Sequence, residues 1–151
     1  MRVHGNIVPG ESFGDYRLGM SRSDVKRLLA SNHVLITCEE DARIDVSNVF
    51  FAFSDKNEYG LVEIGIVKGH RDRFHSVGIG TTIHKMHCQL GPYVVRDDGL
   101  DILCYPKAYP GIIFQVEDFY KRTSHVKAIM IYPLDAPDGE FYWGDVIGEF
   151  S

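Results

Sequence analysis

The chain has 151 residues, 44% apolar and 25% charged, with a formal net charge of −5. That balance excludes a disordered chain and a fibrous repeat, and no run approaches the roughly 18 apolar residues of a membrane-spanning helix. The opening MRVHGNIVPGES lacks the apolar stretch of a secretory signal, and Cys38, Cys88 and Cys104 are an odd number without CxxC spacing, so the expectation is a cytoplasmic protein with free thiols and no disulfide framework.

In chain order, the first strong signal is Leu18-Gly19-Met20-Ser21. Ser21 is a good N-cap, Asp24 stands at the third helical position, and Met20 can staple against Val25. Val25, Leu28 and Leu29 recur at helical spacing with Arg22, Lys26 and Arg27 outward, which predicts a short amphipathic helix. β-Branched and aromatic runs broken by turn residues then predict strands near 34–37, 43–46, 48–54 and 61–67. The link KGHRDRFH, residues 68–75, is basic and reads as solvated. A second helix starts at the cap Thr82, buries Ile83, Met86 and Leu90, and stops at Gly91-Pro92. Strands follow near 93–96, 101–105, 111–117 and 125–132.

These two series align. FGDYRLGMSRSDVKRLL from Phe13 lies over FHSVGIGTTIHKMHCQL from Phe74, NVFFAFSD over GIIFQVED, and LVEIGIV over HVKAIMI. Meander connections this short require antiparallel pairing. The expected architecture is α+β: two tandem copies of a short helix packed on a four-stranded antiparallel sheet, residues 1–69 and 70–134, in one compact two-lobed unit, followed by a tail over 135–151.

Alternation within the strands assigns their faces. Val49, Phe51 and Phe53 align with Ile112, Phe114 and Val116 and belong under the helices. Their alternates mix apolar and polar residues: Phe50, Ala52 and Ser54 align with Ile113, Gln115 and Glu117. A second sheet face left open would offer Phe50 and Ile113 to another molecule.

The tail holds Asp135, Asp138, Glu140, Asp145 and Glu149 with no Lys or Arg, whereas residues 1–134 balance 16 basic against 16 acidic side chains. A balanced body speaks against a general nucleic-acid surface, which needs a basic excess. Phe141-Tyr142-Trp143 is more aromatic than solvation requires. Such a tail docks on the body or joins a site for a basic partner.

A strand, then L-G-M-S-x-x-D-V entering a short helix, then a four-stranded meander, all repeated within about 150 residues, resembles the fold of the beta-lactamase inhibitory protein. The chain is also similar in size to small bacterial immunity proteins of contact-dependent growth inhibition systems, some of which have this fold. L-G-M-S-x-x-D-V occurs in small outer-membrane assembly lipoproteins too, from which the lack of a signal peptide and lipid-anchoring cysteine separates this chain. The resemblance implies a non-enzymatic immunity protein that binds the C-terminal domain of a cognate toxin, expected to be basic, as a nuclease would be. The partner-binding residues expected for it are Phe50, Ile113, Asp138, Glu140, Tyr142, Trp143 and Asp145. Neither cofactor, direct nucleic acid nor membrane enters this reading, and a weak homodimer is compatible with it.

One cluster points to other chemistry. His84, His87 and Cys88 span an arc of roughly 100° on the second helix, and all three are possible metal ligands. The alternative is therefore a small metal-dependent protein or enzyme using them, although zinc sites usually draw ligands from more than one segment. A self-associating ligand-binding module is the remaining alternative. No HExxH, Walker A or dinucleotide fingerprint is present.

Overall fold

The structure is a computed structural model describing residues 3–54, 60–97, 101–117 and 121–134, with the backbone alone of 146–150. Helix α1 (Arg22–Ser31) begins where the local chemistry dictates: the Ser21 hydroxyl accepts the Asp24 amide at 3.1 Å. In α2 (Ile83–Leu90) Thr82 takes the same role from Lys85 at 3.2 Å, and Gly91, at φ 80°, ends the helix. Each cap satisfies an amide that the first turn leaves without a partner.

The strands do not form two four-stranded sheets, and the protein is mostly β. After α1 come β4 (Cys38–Glu40), β5 (Arg43–Val46), β6 (Val49–Phe53) and β7 (Leu61–Ile66); after α2 come β8 (Tyr93–Asp97), β9 (Ile102–Pro106), β10 (Ile112–Val116), β11 (Val126–Ile131) and β12 (Val146–Phe150). All nine belong to one antiparallel sheet in the order β12-β8-β9-β10-β11-β7-β6-β5-β4. The expected two-lobed unit fails at one pairing: β11 joins β7, with Ile129 opposite Ile66 and Ile131 opposite Ile64. Those four isoleucines are fully buried. Closing the sheet there satisfies the edge amides of both strands and merges what would have been two cores.

Three further strands, β1 (Ile7–Val8), β2 (Ser12–Phe13) and β3 (Tyr16–Arg17), form a small separate sheet. It brings Ile7, Phe13 and Tyr16 into the same buried cluster as Val25 and Leu29 of α1, Met86 of α2 and the sheet residues Ile44, Phe51, Ile64, Phe114 and Ile129. The strand expected over 34–37 is not one. Val34 and Ile36 pack inward while Leu35 is 83% exposed, and pairing with β5 begins only at Thr37, whose amide donates to Asp45.

The link 68–75 is solvated only in part. His70 is 5% exposed: its Nδ1 accepts the Asp72 amide at 3.1 Å, so Nε2 carries the proton and donates to the Val3 carbonyl at 2.7 Å. Asp72 in turn accepts the Gly5 amide. The imidazole and Asp72 therefore fasten the segment that precedes β1 to the junction between the two halves of the chain.

Candidate partner-binding face

Register fixes what the sheet's second face carries. Across β5, β6, β7, β11 and β10 runs one row of opposed residues: Asp45, Phe50, Gly65, Met130 and Ile113. The neighbouring row on β5 to β7 is Arg43, Ala52 and Glu63. Phe50 and Ile113 thus share a face, as their alternation indicates. The two ends of that face differ sharply.

Toward β8 the face is apolar and closed. Val94, Leu103, Tyr105, Ile113, Ala128 and Met130 form a second buried cluster, and Ile113 is only 3% exposed. Ile113 is therefore no accessible anchor. Its contribution is to the packing beneath Phe50, Val67 and Tyr132, which border the cluster and are partly exposed.

Toward β5 the face stays accessible and polar. The Phe50 ring lies flat over Gly65: a β-carbon added there would sit 1.9 Å from the ring's Cε1. On the ring's other side is the Arg43 guanidinium, 4.0 Å from the centroid. This cation–π stack is held in place by an ion pair from Arg43 Nε to Asp45 Oδ1 at 2.6 Å. Glu63 stands two residues from Gly65 along β7, on the same face, near enough to Arg43 to feel its charge. Burial raises its carboxyl above the ordinary range, and Arg43 works against that rise. Arg43, Gly65 and Glu63 were not expected as site residues. The signal for them was a charge or a glycine at the alternate positions of otherwise apolar strands.

Asp138, Glu140, Tyr142, Trp143 and Asp145 lie outside the described residues. The backbone of β12 is placed along β8, with Val146 opposite Arg96 and Phe150 opposite Tyr93.

On α2 the structure brings two of the three candidate ligands together. His84 Nε2 is 3.9 Å from Cys88 Sγ, and both residues are exposed. His87 turns away, with its ring edge-on to Tyr93 at 5.6 Å and its Nδ1 buried without a hydrogen-bond partner. Among the described residues no group of three His, Cys, Asp or Glu side chains is placed to hold a metal ion. Nor does the His84 pair suit nucleophilic catalysis. Arg122 Nη2 donates to His84 Nδ1 at 2.8 Å, which leaves the proton on Nε2, facing the sulfur. A base for the thiol must present a lone pair there, and an imidazolium would drive its Nδ1 proton against Arg122.

Among the described residues no helix is long and apolar enough to cross a membrane. Family models, curated proteins and solved structures give no match to this chain. The likeness to the beta-lactamase inhibitory protein fold and to immunity proteins thus rests on sequence pattern alone.

Proposed function

We propose that this chain is a non-enzymatic, cytoplasmic immunity protein that binds the C-terminal domain of a cognate bacterial toxin and blocks its activity. The observation that carries the reading is the accessible margin of the second sheet face, where an aromatic ring held between a glycine and an arginine adjoins partly buried apolar side chains and a carboxylate. Protein interfaces concentrate their binding energy in such aromatic and arginine residues at the border of an apolar surface. The acidic balance of the chain favours a basic partner and would act chiefly on the rate of encounter. His84 and Cys88 give no competing support to an enzyme, because Arg122 fixes the wrong tautomer for a thiol base.

The test is genetic and direct. Co-expression should rescue cells from the C-terminal domain of a large secreted toxin encoded immediately upstream, and the two purified proteins should form a stable complex. Cells that die despite abundant folded protein, for every toxin domain encoded beside the gene, would end the proposal. If the aromatic tail joins the interface, Tyr142→Ala with Trp143→Ala weakens the complex several-fold; an unchanged dissociation constant removes the tail from it.

A further inference from the structure

We propose that residues 135–145 cross the second face of the sheet between β11 and β12, and that Phe141 and Trp143 seat on the apolar cluster there. That end of the face is then occupied by the chain's own segment, and the margin around Phe50 and Arg43 is what remains for a partner. Neither the crossing nor its seat depends on the immunity reading.

The topology demands a crossing. β11 and β12 follow one another in the chain but are separated in the sheet by β10, β9 and β8. Every pairing from β11 across to β12 is antiparallel, so those two strands run the same way. The chain must return from Ile131, at one end of the sheet, to Val146, opposite Arg96 at the other. A hairpin cannot join parallel strands, and such a connection passes over a face. The path runs about 19 Å sideways and about 15 Å back along the strands, within reach of residues 135–145, which extend to roughly 36 Å.

Handedness selects the face. Tyr132 borders the second-face cluster, and its amide donates toward β10, to the Gly111 carbonyl at 3.0 Å. On an ascending strand, an L-residue whose side chain points at the viewer directs its amide to the right. Seen from the second face, β10 and beyond it β12 therefore lie to the right of β11. A connection in front of the sheet is then right-handed, as parallel crossovers are in about 98% of cases, and one behind is left-handed. Behind the sheet, α1, α2 and the strands β1 to β3 already fill the other core.

The seat and the segment match in chemistry. Val94, Leu103, Tyr105, Ile113, Ala128 and Met130 are each 3–8% exposed, which a bare sheet face does not allow. Among the described residues, both helices and the small sheet pack on the opposite core, and only Phe50, Val67 and Tyr132 border this one. Residues 55–59, 98–100 and 118–120 join adjacent strands and are too short to lie across it. Residues 135–145 are long enough and hold Phe141-Tyr142-Trp143. In an extended crossing Phe141 and Trp143 point to one side, where their large apolar area suits the cluster. Charge agrees as well. Arg96 follows Val94 onto this face by alternation and stands opposite Val146, while the segment that ends there carries Asp135, Asp138, Glu140 and Asp145 without a base.

Trp143 is the only tryptophan, so the fluorescence of the full chain reports it directly. Its emission should be blue-shifted from that of the urea-unfolded chain, and acrylamide should quench it several-fold less. Nuclear Overhauser contacts locate the seat: ring protons of Phe141 and Trp143 should reach the methyl groups of Leu103, Ile113 and Met130, with intensities independent of protein concentration. Phe141→Ala with Trp143→Ala should expose those methyls to a soluble paramagnetic agent, raising their relaxation several-fold, while Val25 and Leu29 in the other core stay unchanged. The wild-type contacts decide the matter even where the double variant fails to fold. Emission at the unfolded position, or ring contacts to Val25 and Leu29 instead, would overturn the crossing. Methyls shielded only at concentrations where the chain dimerises would make a second copy the occupant and overturn it equally.

Discussion

His75 and Ser76 are two consecutive non-glycine residues with left-handed backbones, at φ 47° and 69°. They form a two-residue hairpin turn, since Phe74 and Val77 exchange both amide bonds, at 2.8 and 2.9 Å. Such turns match the twist of the flanking strands but demand positive φ at both central positions, at a cost of about 1 kcal/mol or more for an ordinary residue. His75 has a reason to be there, as its ring packs on Phe74 and Tyr109 at 4.5 and 5.1 Å. The exposed Ser76 side chain has no such packing. Ser76→Gly should raise the stability measured by urea unfolding by roughly 0.5–1 kcal/mol; a lowered midpoint would show that the turn is not strained at this residue. Glu63 carries the opposite kind of cost. Its folded-state carboxyl holds the proton more tightly than the unfolded chain does. The contribution to stability is then full below the unfolded carboxylate range and is lost as pH rises through the raised folded value. Glu63→Gln should increase the melting temperature at neutral pH by roughly a few degrees and change little near about pH 4 or below. A gain independent of pH would mean that the charge is not its source.

At the scale of elements, β6 and β7 are matched by an absence of side chain. Gly65→Ala would push the Phe50 ring off β7 and should cost about 1 kcal/mol, yet in a Phe50→Ala background the same change should be neutral or slightly stabilising, because alanine loses less backbone freedom on folding than glycine. A double-mutant cycle measures that coupling, and additive effects would refute the close packing. Not every such relation is visible in a linear chain. The caps at Ser21 and Thr82 are, because a cap and its amide are three residues apart. So is the shared face of Phe50 and Ile113, which follows from alternation alone. The strand expected at 34–37 misled because Val34-Leu35-Ile36 alternates while serving as a connection, and pairing with β5 decides where β4 begins. The strands β1 to β3, of two residues each, are too short to show any period. Burial along the second face was the least legible feature. Periodicity says that Phe50 and Ile113 point the same way, but only the packing distinguishes the closed end, where Ile113 sits, from the accessible end, where Glu63 and Arg43 do.

At the scale of the molecule, the pairing of β7 with β11 decides whether the halves stand alone. Strands 60 residues apart in sequence offer no local signal of being neighbours, and two separate lobes would have satisfied the same alternation. The continuous sheet predicts a single cooperative unit, which the thiols can test. Cys38 and Cys88 are exposed, whereas Cys104 is fully buried in β9, where burial pushes its thiol up to about 12. A disulfide reagent should therefore modify two cysteines at once and reach Cys104 only through molecules that open. Val25 lies on α1, in the half of the chain that does not contain β9, and is fully buried. Val25→Ala removes two methyl groups from the shared core and should cost about 2 kcal/mol. In a cooperative sheet that loss is felt at Cys104 as well, and its modification should accelerate roughly thirty-fold, since each 1.4 kcal/mol or so is a factor of ten. An unchanged rate at Cys104, with urea unfolding confirming the loss at α1, would mean that β8 to β11 open without β4 to β7 and that the isoleucine junction between β7 and β11 does not transmit stability.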